Sequence, residues 1–244
     1  RGNRAQRELD KELVAAQRAG LLVDRVDRAP LPFDTGPALR FRRQAEFHPL
    51  RYLRGLADAV VSCGGKIHTG VHVDAIEPGQ PLVIKLAGRR TMLCRVAVDA
   101  TNSTITSPVK LPIRQAAYRS YCLAFEVAQG AIPHGLYWDT ADPYHYIRVA
   151  SGEGGREVLI VGGNDHRTGQ GDPMKAWAAL ETWTREWFPA ADDLVAKWSG
   201  QIIEPVDGPA HIGHSPDIEH VYVVTGDSGN GLTHGTIAGL LLPE

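Results

Sequence analysis

The chain has 244 residues and a net charge of −2, from 26 Lys and Arg against 28 Asp and Glu. This length allows one large or two modest domains, and the balanced charge gives no reason to expect nucleic acid or an anionic membrane as a partner. No apolar run reaches the roughly 20 residues that span a bilayer, and no secretory leader is recognisable. Three scattered cysteines, Cys63, Cys94 and Cys122, favour reduced thiols over a disulfide framework, so we expect a cytoplasmic protein.

The first 44 residues contain one predicted helix. Apolar residues recur at helical spacing among charges in residues 4–19, and Gly20 follows as a stop, which predicts an exposed amphipathic helix. Residues 24–44 contain three prolines among charges and are predicted to be an irregular connector. The chain starts at Arg1 beside this helix and stops at Glu244, and we interpret it as a fragment of a longer protein.

A second helix and three strands are predicted next. His48-Pro49 opens the helix, because proline suits the first helical position, and Gly64-Gly65 ends it. The face that we expect to be buried comprises Leu50, Leu53, Leu56, Ala57 and Val60. The strands are expected at Lys66–Glu77, Leu82–Leu86 and Thr91–Asp99.

Beyond Ile113 the pattern changes to strands that alternate with glycine and proline turns, as in an antiparallel sheet. These strands are expected at Ala117–Val127, Gly135–Trp138, Tyr144–Ala150 and Glu157–Gly162. Asp172-Pro173 then predicts the start of an amphipathic helix. Its tryptophans share one face, which indicates packing rather than a ligand site. Residues 198–213 are expected to connect this helix to a closing strand.

The closing stretch has the order strand, glycine turn, helix. A β-branched run over Val221–Val224 stops at Gly226, the six residues from Gly226 to Gly231 include three glycines, and an apolar segment from Ile237 favours a helix. Glycines let the backbone approach a ligand closely, and the first N–H groups of a helix attract anions. A turn that only reverses the chain is the alternative.

Seven segments then stand in a characteristic order. They are Phe47–Ala57, Gly64–Ile67, Val73–Glu77, Val96–Asn102, Trp198–Gly200, Asp207-Gly208 and Thr225–Gly231. Together they resemble the FAD-dependent oxidoreductases of the D-amino acid oxidase and glycine/sarcosine oxidase family, from about residue 40 to the end of the chain. Residues 137–140 and 198–208 look closest to a bacterial branch that often carries a C-terminal Rieske domain. The Cys-x-His pairs of that domain are absent from this sequence.

The resemblance implies an α/β (α+β) fold with two interleaved domains. A substrate domain, built on a mixed and largely antiparallel sheet, would comprise residues 1–46 and 114–200. A partial FAD-binding domain of the D-amino acid oxidase type would comprise residues 47–113 and 201–244. Family members begin with a Rossmann unit whose G-x-G-x-x-G motif holds the FAD pyrophosphate, and nothing in this sequence matches it. Either that unit precedes this fragment, or the chain binds FAD poorly or not at all.

The resemblance also assigns cofactor-binding residues. Val73 would contact the adenine, although a core β residue explains it equally well. Thr101 and Asn102 would lie at the turn near the dinucleotide, and an Asx turn without a ligand is the alternative. The residues that would cover the pyrimidine edge of the flavin and stabilise negative charge on it are Gly226, Gly229, Asn230, Gly231, Leu232 and Thr233.

Tyr146 and Arg148 are the substrate-binding candidates, because the family's substrate-domain strand faces the flavin there; sheet packing is the alternative for Tyr146. Amino acid oxidases of the family commonly hold the substrate carboxylate with an arginine before the Asp-Gly step, and residues 200–207 contain none. An amino acid substrate would then require Arg148 or Arg167. Glu204 would suit a cationic amine, and a partly exposed glutamate in a turn is the alternative for it. No metal site is expected, because the paired histidines lack Cys, Asp or Glu partners in a ligand pattern.

The leading hypothesis is an FAD-dependent oxidoreductase that oxidises a C–N bond of a small amine or amino acid by hydride transfer to flavin. No catalytic residue is assigned. Two alternatives remain: a non-catalytic interaction module that has lost cofactor binding, and the FAD component of an enzyme that passes electrons to an iron–sulfur partner.

Overall fold

The computed structural model describes residues 2–152 and 154–243. The chain divides into two compact units. The first unit comprises Arg1–Leu56, Ser120–His166 and Gly171–Gly200, and the second comprises Ala57–Arg119, Arg167–Gln170 and Gln201–Glu244. The predicted division into a substrate domain and an FAD-binding domain stays a prediction.

The architecture is mixed α/β with antiparallel sheets, as expected. The helices are α1 (Gly2–Arg18), α2 (Pro49–Ser62), α3 (Pro173–Trp187) and α4 (Gly231–Leu241). The strands are β1 (Val23–Val26), β2 (Ala38–Phe41), β3 (Val73–Glu77), β4 (Leu82–Leu86), β5 (Arg90–Cys94), β6 (Ala97–Asn102), β7 (Gln115–Val127), β8 (Leu136–Trp138), β9 (His145–Ser151), β10 (Glu157–Arg167), β11 (Leu194–Pro205), β12 (His211–His214) and β13 (Val221–Thr225). No helix among the described residues has the length and apolar character needed to cross a bilayer.

A five-stranded sheet in the order β11-β7-β10-β9-β8 provides the main core. Alternate residues of three strands point to one face and pack against α3, because side chains of a strand alternate between faces. The buried members of this core include Tyr121, Leu123, Phe125, Ile147, Val149, Leu159, Val161 and Leu180. The opposite face of the same strands carries the intervening residues.

Helix α3 begins as its sequence predicts. The carboxylate of Asp172 accepts a hydrogen bond from the N–H of Met174 at 2.9 Å. Pro173 occupies the first turn, where the absence of its N–H removes no helical hydrogen bond. Leu180 is fully buried, and Trp177, Trp183 and Trp187 pack against the core. The prediction that the tryptophan stripe is packing surface is therefore confirmed.

The prediction of an irregular connector over residues 24–44 is wrong in part. β1 and β2 pair antiparallel with Val23 opposite Phe41, so the segment is a long hairpin. The two strands have four residues each, and their ladder is joined by ion pairs from Arg40 and Arg42 to Asp24. Strands this short and this charged show no apolar alternation, and the prolines between them dominate the local pattern.

Helix α2 has the predicted extent, but its apolar face is not buried. The exposed fraction is 71% for Leu50 and 47% for Leu53, and no residue of the helix is buried. An amphipathic pattern predicts which face can be buried, whereas burial also requires an element that packs on it. None of the described elements buries this face.

The second unit contains two three-stranded sheets, β3-β4-β5 and β12-β13-β6. The long strand predicted over residues 66–77 is confined to β3, because β4 is only five residues long and pairs with Val73–Glu77 alone. The strand predicted over residues 91–99 is two strands: β5 pairs with β4, and after a bend at Arg95 β6 enters the other sheet. The predicted connector over residues 198–213 contains the end of β11 and all but one residue of β12.

Candidate functional site

Two parallel strands of the second unit end at the same sheet edge. β6 and β13 pair in parallel, from Val221 opposite Ala97 to Thr225 opposite Asn102. Ligands of α/β sheets bind outside the carboxyl ends of such strands. The hydroxyl of Thr225 donates to the carbonyl oxygen of Asn102, which joins the two ends. The structure therefore brings the predicted Asn102 turn and the predicted Gly226 turn together.

Asp99 holds the loop that follows β6. Its side chain is buried, and one oxygen accepts hydrogen bonds from the N–H groups of Ile105 at 2.9 Å and Thr106 at 3.0 Å. The other oxygen accepts from Thr101. A buried carboxylate is stable only with such donors, so this network fixes Thr101 and Asn102, whose φ is +64°. Sequence reasoning missed Asp99, although an acidic residue inside an apolar strand was a signal.

Gly226 is required by its conformation and by its neighbours. Its φ is +75°, and a Cβ at this position would lie 2.6 Å from Cγ of Pro205 and 2.9 Å from Nε2 of Gln115. Ser228 and Gly229 also have positive φ, of 48° and 78°. Three left-handed residues in four make a tight turn between β13 and α4, which only small residues can adopt without strain.

The first turn of α4 lacks the partners that helix starts often have. Asn230 is the N-cap but makes no side-chain cap hydrogen bond, and the first turn contains no acidic residue. The carboxylate of Asp227 instead accepts from the N–H of Gly229 at 3.1 Å, inside the preceding turn. The start of α4, at Gly231, Leu232 and Thr233, thus offers backbone N–H groups and the positive end of the helix dipole.

Val73 lies apart from this edge, in the other sheet of the second unit. It is the first residue of β3, is half-buried, and stands opposite Leu86 of β4. Its proposed contact with the adenine stays a prediction.

Tyr146 lies in the first unit, on the face of the five-stranded sheet that is opposite the apolar core. Its hydroxyl is 3.0 Å from Oγ of Ser120 and 3.1 Å from Sγ of Cys122. Burial, with the neighbouring Cys122, raises the pKa of Tyr146 and keeps the phenol protonated. Gly162 stands opposite Tyr146 in the ladder, and a Cβ there would lie 2.0 Å from the ring, so a glycine is required.

Arg148 follows on the same strand face, but part of its guanidinium is already engaged. Nη2 donates to the carbonyl oxygen of Phe47 at 3.2 Å, and Nε is shielded from solvent without a partner among the described residues. Glu204, the other candidate for substrate charge, is exposed in the second unit.

The structure adds Asp165 to the Tyr146 face. Ser120 donates a hydrogen bond to the carboxyl group of Asp165, and burial raises the pKa of that group. Its Oδ1 atom is shielded from solvent and has no hydrogen-bond partner among the described residues. Sequence reasoning missed it, because an aspartate between Gly163 and Gly169 is typical of a turn.

No group of three or more His, Cys, Asp or Glu side chains within residues 2–152 and 154–243 is arranged to hold a metal ion.

Comparison with known proteins identifies the family. The family model described as "FAD dependent oxidoreductase" matches residues 2–244. The chain belongs to this family. A curated protein of Bacillus subtilis (strain 168) named "Putative Rieske 2Fe-2S iron-sulfur protein YhfW" is 26% identical over 98% of this chain and 47% of its own length. The chain thus spans about half the length of this relative.

Solved structures of other proteins have the same fold. Glycine oxidase from Geobacillus kaustophilus matches with a TM-score of 0.79 and 18% identity, over 98% of this chain and 66% of that chain. L-proline dehydrogenase from P. horikoshii matches with a TM-score of 0.76 and 13% identity, over 94% of this chain and 66% of that chain. At these identities the likeness establishes the fold alone.

The edge formed by β6 and β13 offers backbone donors of the kind that the FAD of the family would need. A cofactor edge that becomes negative on reduction needs backbone donors, and the uncapped start of α4 supplies them. Gly226 and Gly229 of this turn have no side chain, which lets the backbone at these two positions approach closely. The sequence has no G-x-G-x-x-G motif for the pyrophosphate.

Proposed function

We propose that the protein containing this chain oxidises a C–N bond of a small amine or amino acid, with FAD as the hydride acceptor. The observation that carries the proposal is the strand, tight turn and uncapped helix start at Gly226–Thr233, in a chain that belongs to the FAD-dependent oxidoreductases. The names of the two structural relatives support it, because glycine and L-proline are both amines.

The part of the chain near the cofactor stabilises charge. When bound, FAD supplies a two-electron acceptor for hydride. The N–H groups at the start of α4 place positive potential at the edge where negative charge develops, and the helix needs no rearrangement to do so. Asp99 keeps the neighbouring loop fixed through its buried hydrogen bonds. The residues of this edge therefore tune the cofactor rather than take part in bond breaking.

Tyr146 and Arg148 are proposed to position the substrate. Tyr146 offers a protonated hydroxyl, since burial raises its pKa. Gly162 has no side chain and therefore leaves room for the ring of Tyr146. Arg148 is held by the backbone of Phe47, so it adds positive charge at a fixed position.

The test is anaerobic reduction of the flavin. We expect the protein, expressed from its complete gene, to purify with FAD, and a panel of small amines and amino acids to bleach the flavin absorbance in the absence of oxygen. A protein that contains no flavin and takes up none in a calorimetric titration would contradict the proposal and favour a non-catalytic interaction module.

An iron–sulfur protein is proposed as the electron acceptor, on the strength of the relative's name. The reduced flavin would then react slowly with oxygen and rapidly with an iron–sulfur partner. Release of one hydrogen peroxide for each amine oxidised in air would contradict this acceptor and favour an oxidase.

A further inference from the structure

The first unit contains a cluster of polar side chains that the cofactor edge does not use. Ser120 and Cys122 alternate along β7 with the core residues Tyr121 and Leu123, so they lie on the face opposite the core. Tyr146 joins them from β9, and Asp165 joins them from β10. We call Ser120, Cys122, Tyr146 and Asp165 the polar cluster.

The hydrogen bonds of the polar cluster form a chain that ends at Asp165. With Asp165 ionised, the single hydroxyl proton of Ser120 is donated to the carboxylate. Oγ of Ser120 therefore accepts from the hydroxyl of Tyr146, 3.0 Å away. The Tyr146 oxygen in turn accepts from the thiol of Cys122 at 3.1 Å, and burial raises the pKa of that thiol, so its proton is retained.

One oxygen of this carboxylate has no donor. Oδ1 of Asp165 is shielded from solvent and unpartnered among the described residues, and a buried acceptor without a partner costs about 1–3 kcal/mol, or more when it is charged. Within the same sheet, Nε2 of His166 lies 2.8 Å from the hydroxyl of Tyr121, and Arg148 donates to the carbonyl oxygen of Phe47. Asp165 as a whole residue is half-buried, so other atoms of this residue reach solvent.

We propose that Asp165 binds the protonated amine of the substrate and accepts its proton, which makes a cationic alkylamine group the ligand of the polar cluster. This inference rests on the proposed function. An ammonium group supplies the N–H donor that Oδ1 lacks among the described residues. Oδ1 and the substrate nitrogen then form a charge-assisted hydrogen bond, which is about twice as strong as a neutral one.

The proton transfer also prepares the substrate for oxidation. An alkylammonium group has a pKa near 10, so it is charged at neutral pH, and its nitrogen has no lone pair to assist hydride loss. The N–H bond breaks, the proton bonds to Asp165, and the substrate becomes a neutral amine. FAD, when bound, would accept the hydride that the neutral amine loses from its α-carbon, which would leave a protonated imine. Burial, which raises the pKa of Asp165, makes this carboxylate a stronger base than an exposed one.

The first experiment measures binding without turnover. tert-Butylammonium carries the amine but has no hydrogen on its α-carbon, and tert-butanol is a neutral molecule of the same shape. We expect Asp165→Asn to weaken calorimetric binding of tert-butylammonium by about tenfold or more at neutral pH, and to leave the weak binding of tert-butanol unchanged. Asp193→Asn, which removes an exposed carboxylate from the same unit, is the matched control and should leave both affinities unchanged.

The second experiment measures the protonation of Asp165 through the pH dependence of kcat/KM. Ser120→Ala removes the hydrogen bond that lowers the pKa of Asp165, so the acidic limb of the kcat/KM profile should move to higher pH. A merely structural cluster would lose stability in this variant without moving the limb. Equal affinity of Asp165→Asn and wild type for tert-butylammonium would overturn the inference and leave the proposed function intact. Failure of every amine to reduce the flavin would instead overturn the proposed function.

Discussion

At the scale of single residues, the hydrogen bonds of His134 in the first unit require its imidazole ring to be charged. Nδ1 lies 3.0 Å from a carboxylate oxygen of Glu46, and Nε2 lies 2.8 Å from one of Glu157. The N–H of Gly130 also donates to Glu157 at 2.9 Å. Both ring nitrogens face carboxylates, so both must carry protons for the two hydrogen bonds to form, and the imidazole is then cationic. The pKa of His134 is raised by Glu157 first and by Glu46 second, and His134 lowers the pKa of Glu157.

The raised pKa of His134 and the lowered pKa of Glu157 determine how the free energy of unfolding depends on pH. His134 stabilises the fold fully below its ordinary pKa of about 6.5, and this contribution is lost as the pH rises through the raised folded value. Glu157 contributes above its ordinary pKa of about 4.3 and loses its contribution as the pH falls through the lowered folded value. We expect His134→Asn to lower the free energy of unfolding most near pH 6 and progressively less at alkaline pH.

Urea unfolding at a series of pH values measures this difference. His68→Asn is the control, because His68 is exposed, and the variant should match wild type at every pH. A His134→Asn defect of constant size from acidic to alkaline pH would show that packing, rather than charge, accounts for the contribution of His134.

The residues of the candidate sites differ in how far the sequence could predict them. The Gly226 turn was predictable, because glycines at strand ends have a local conformational cause. Asp99 carried a signal, as an acidic residue inside an apolar strand, but the donors that hold it in the following loop, such as Thr106, depend on how that loop folds. Asp165 was not predictable, because Oδ1 of Asp165 has no hydrogen-bond partner among the described residues and a sequence does not show a missing donor. Only the sheet register places Tyr146 beside Ser120, which precedes it by 26 residues.

At the scale of elements, α3 and α2 provide a matched test of burial. Leu180 of α3 is fully buried in the core, whereas Leu50 of α2 is 71% exposed. We expect Leu180→Ala to lower the free energy of unfolding by about 2–5 kcal/mol, because it leaves a cavity. Leu50→Ala should change it by no more than about 0.5 kcal/mol. Chemical denaturation of both variants checks the pair, and a large loss in Leu50→Ala would mean that the face of α2 is covered in solution.

The same two helices show what a local pattern can and cannot predict about the fold. The spacing of apolar residues, together with Pro49 and Pro173, predicted both helices and their starts. The pattern does not contain the packing partner, so the burial expected for α2 was wrong. Likewise, the sequence of residues 91–99 predicted one strand but not its division at Arg95, because the division comes from the pairing partners of the two parts.

At the scale of the whole molecule, the chain has a known family and covers only part of the length of its relatives. The chain belongs to the FAD-dependent oxidoreductases, and it spans 47% of the curated relative and 66% of the glycine oxidase chain. The cofactor edge lies in the second unit and the polar cluster in the first.

The central claim is that the Gly226 turn and the start of α4 hold FAD, and the dissociation constant for FAD in two glycine variants tests it most directly. Gly226→Ala places a methyl group against Pro205 and forces alanine into a left-handed conformation, whereas Gly235 lies in the middle of α4 with nothing within 4 Å of its Cβ position. We expect Gly235→Ala to bind FAD with the wild-type Kd. Gly226→Ala should raise the Kd about tenfold or more, equivalent to about 1.4 kcal/mol. An unchanged Kd in a folded Gly226→Ala protein would contradict the account.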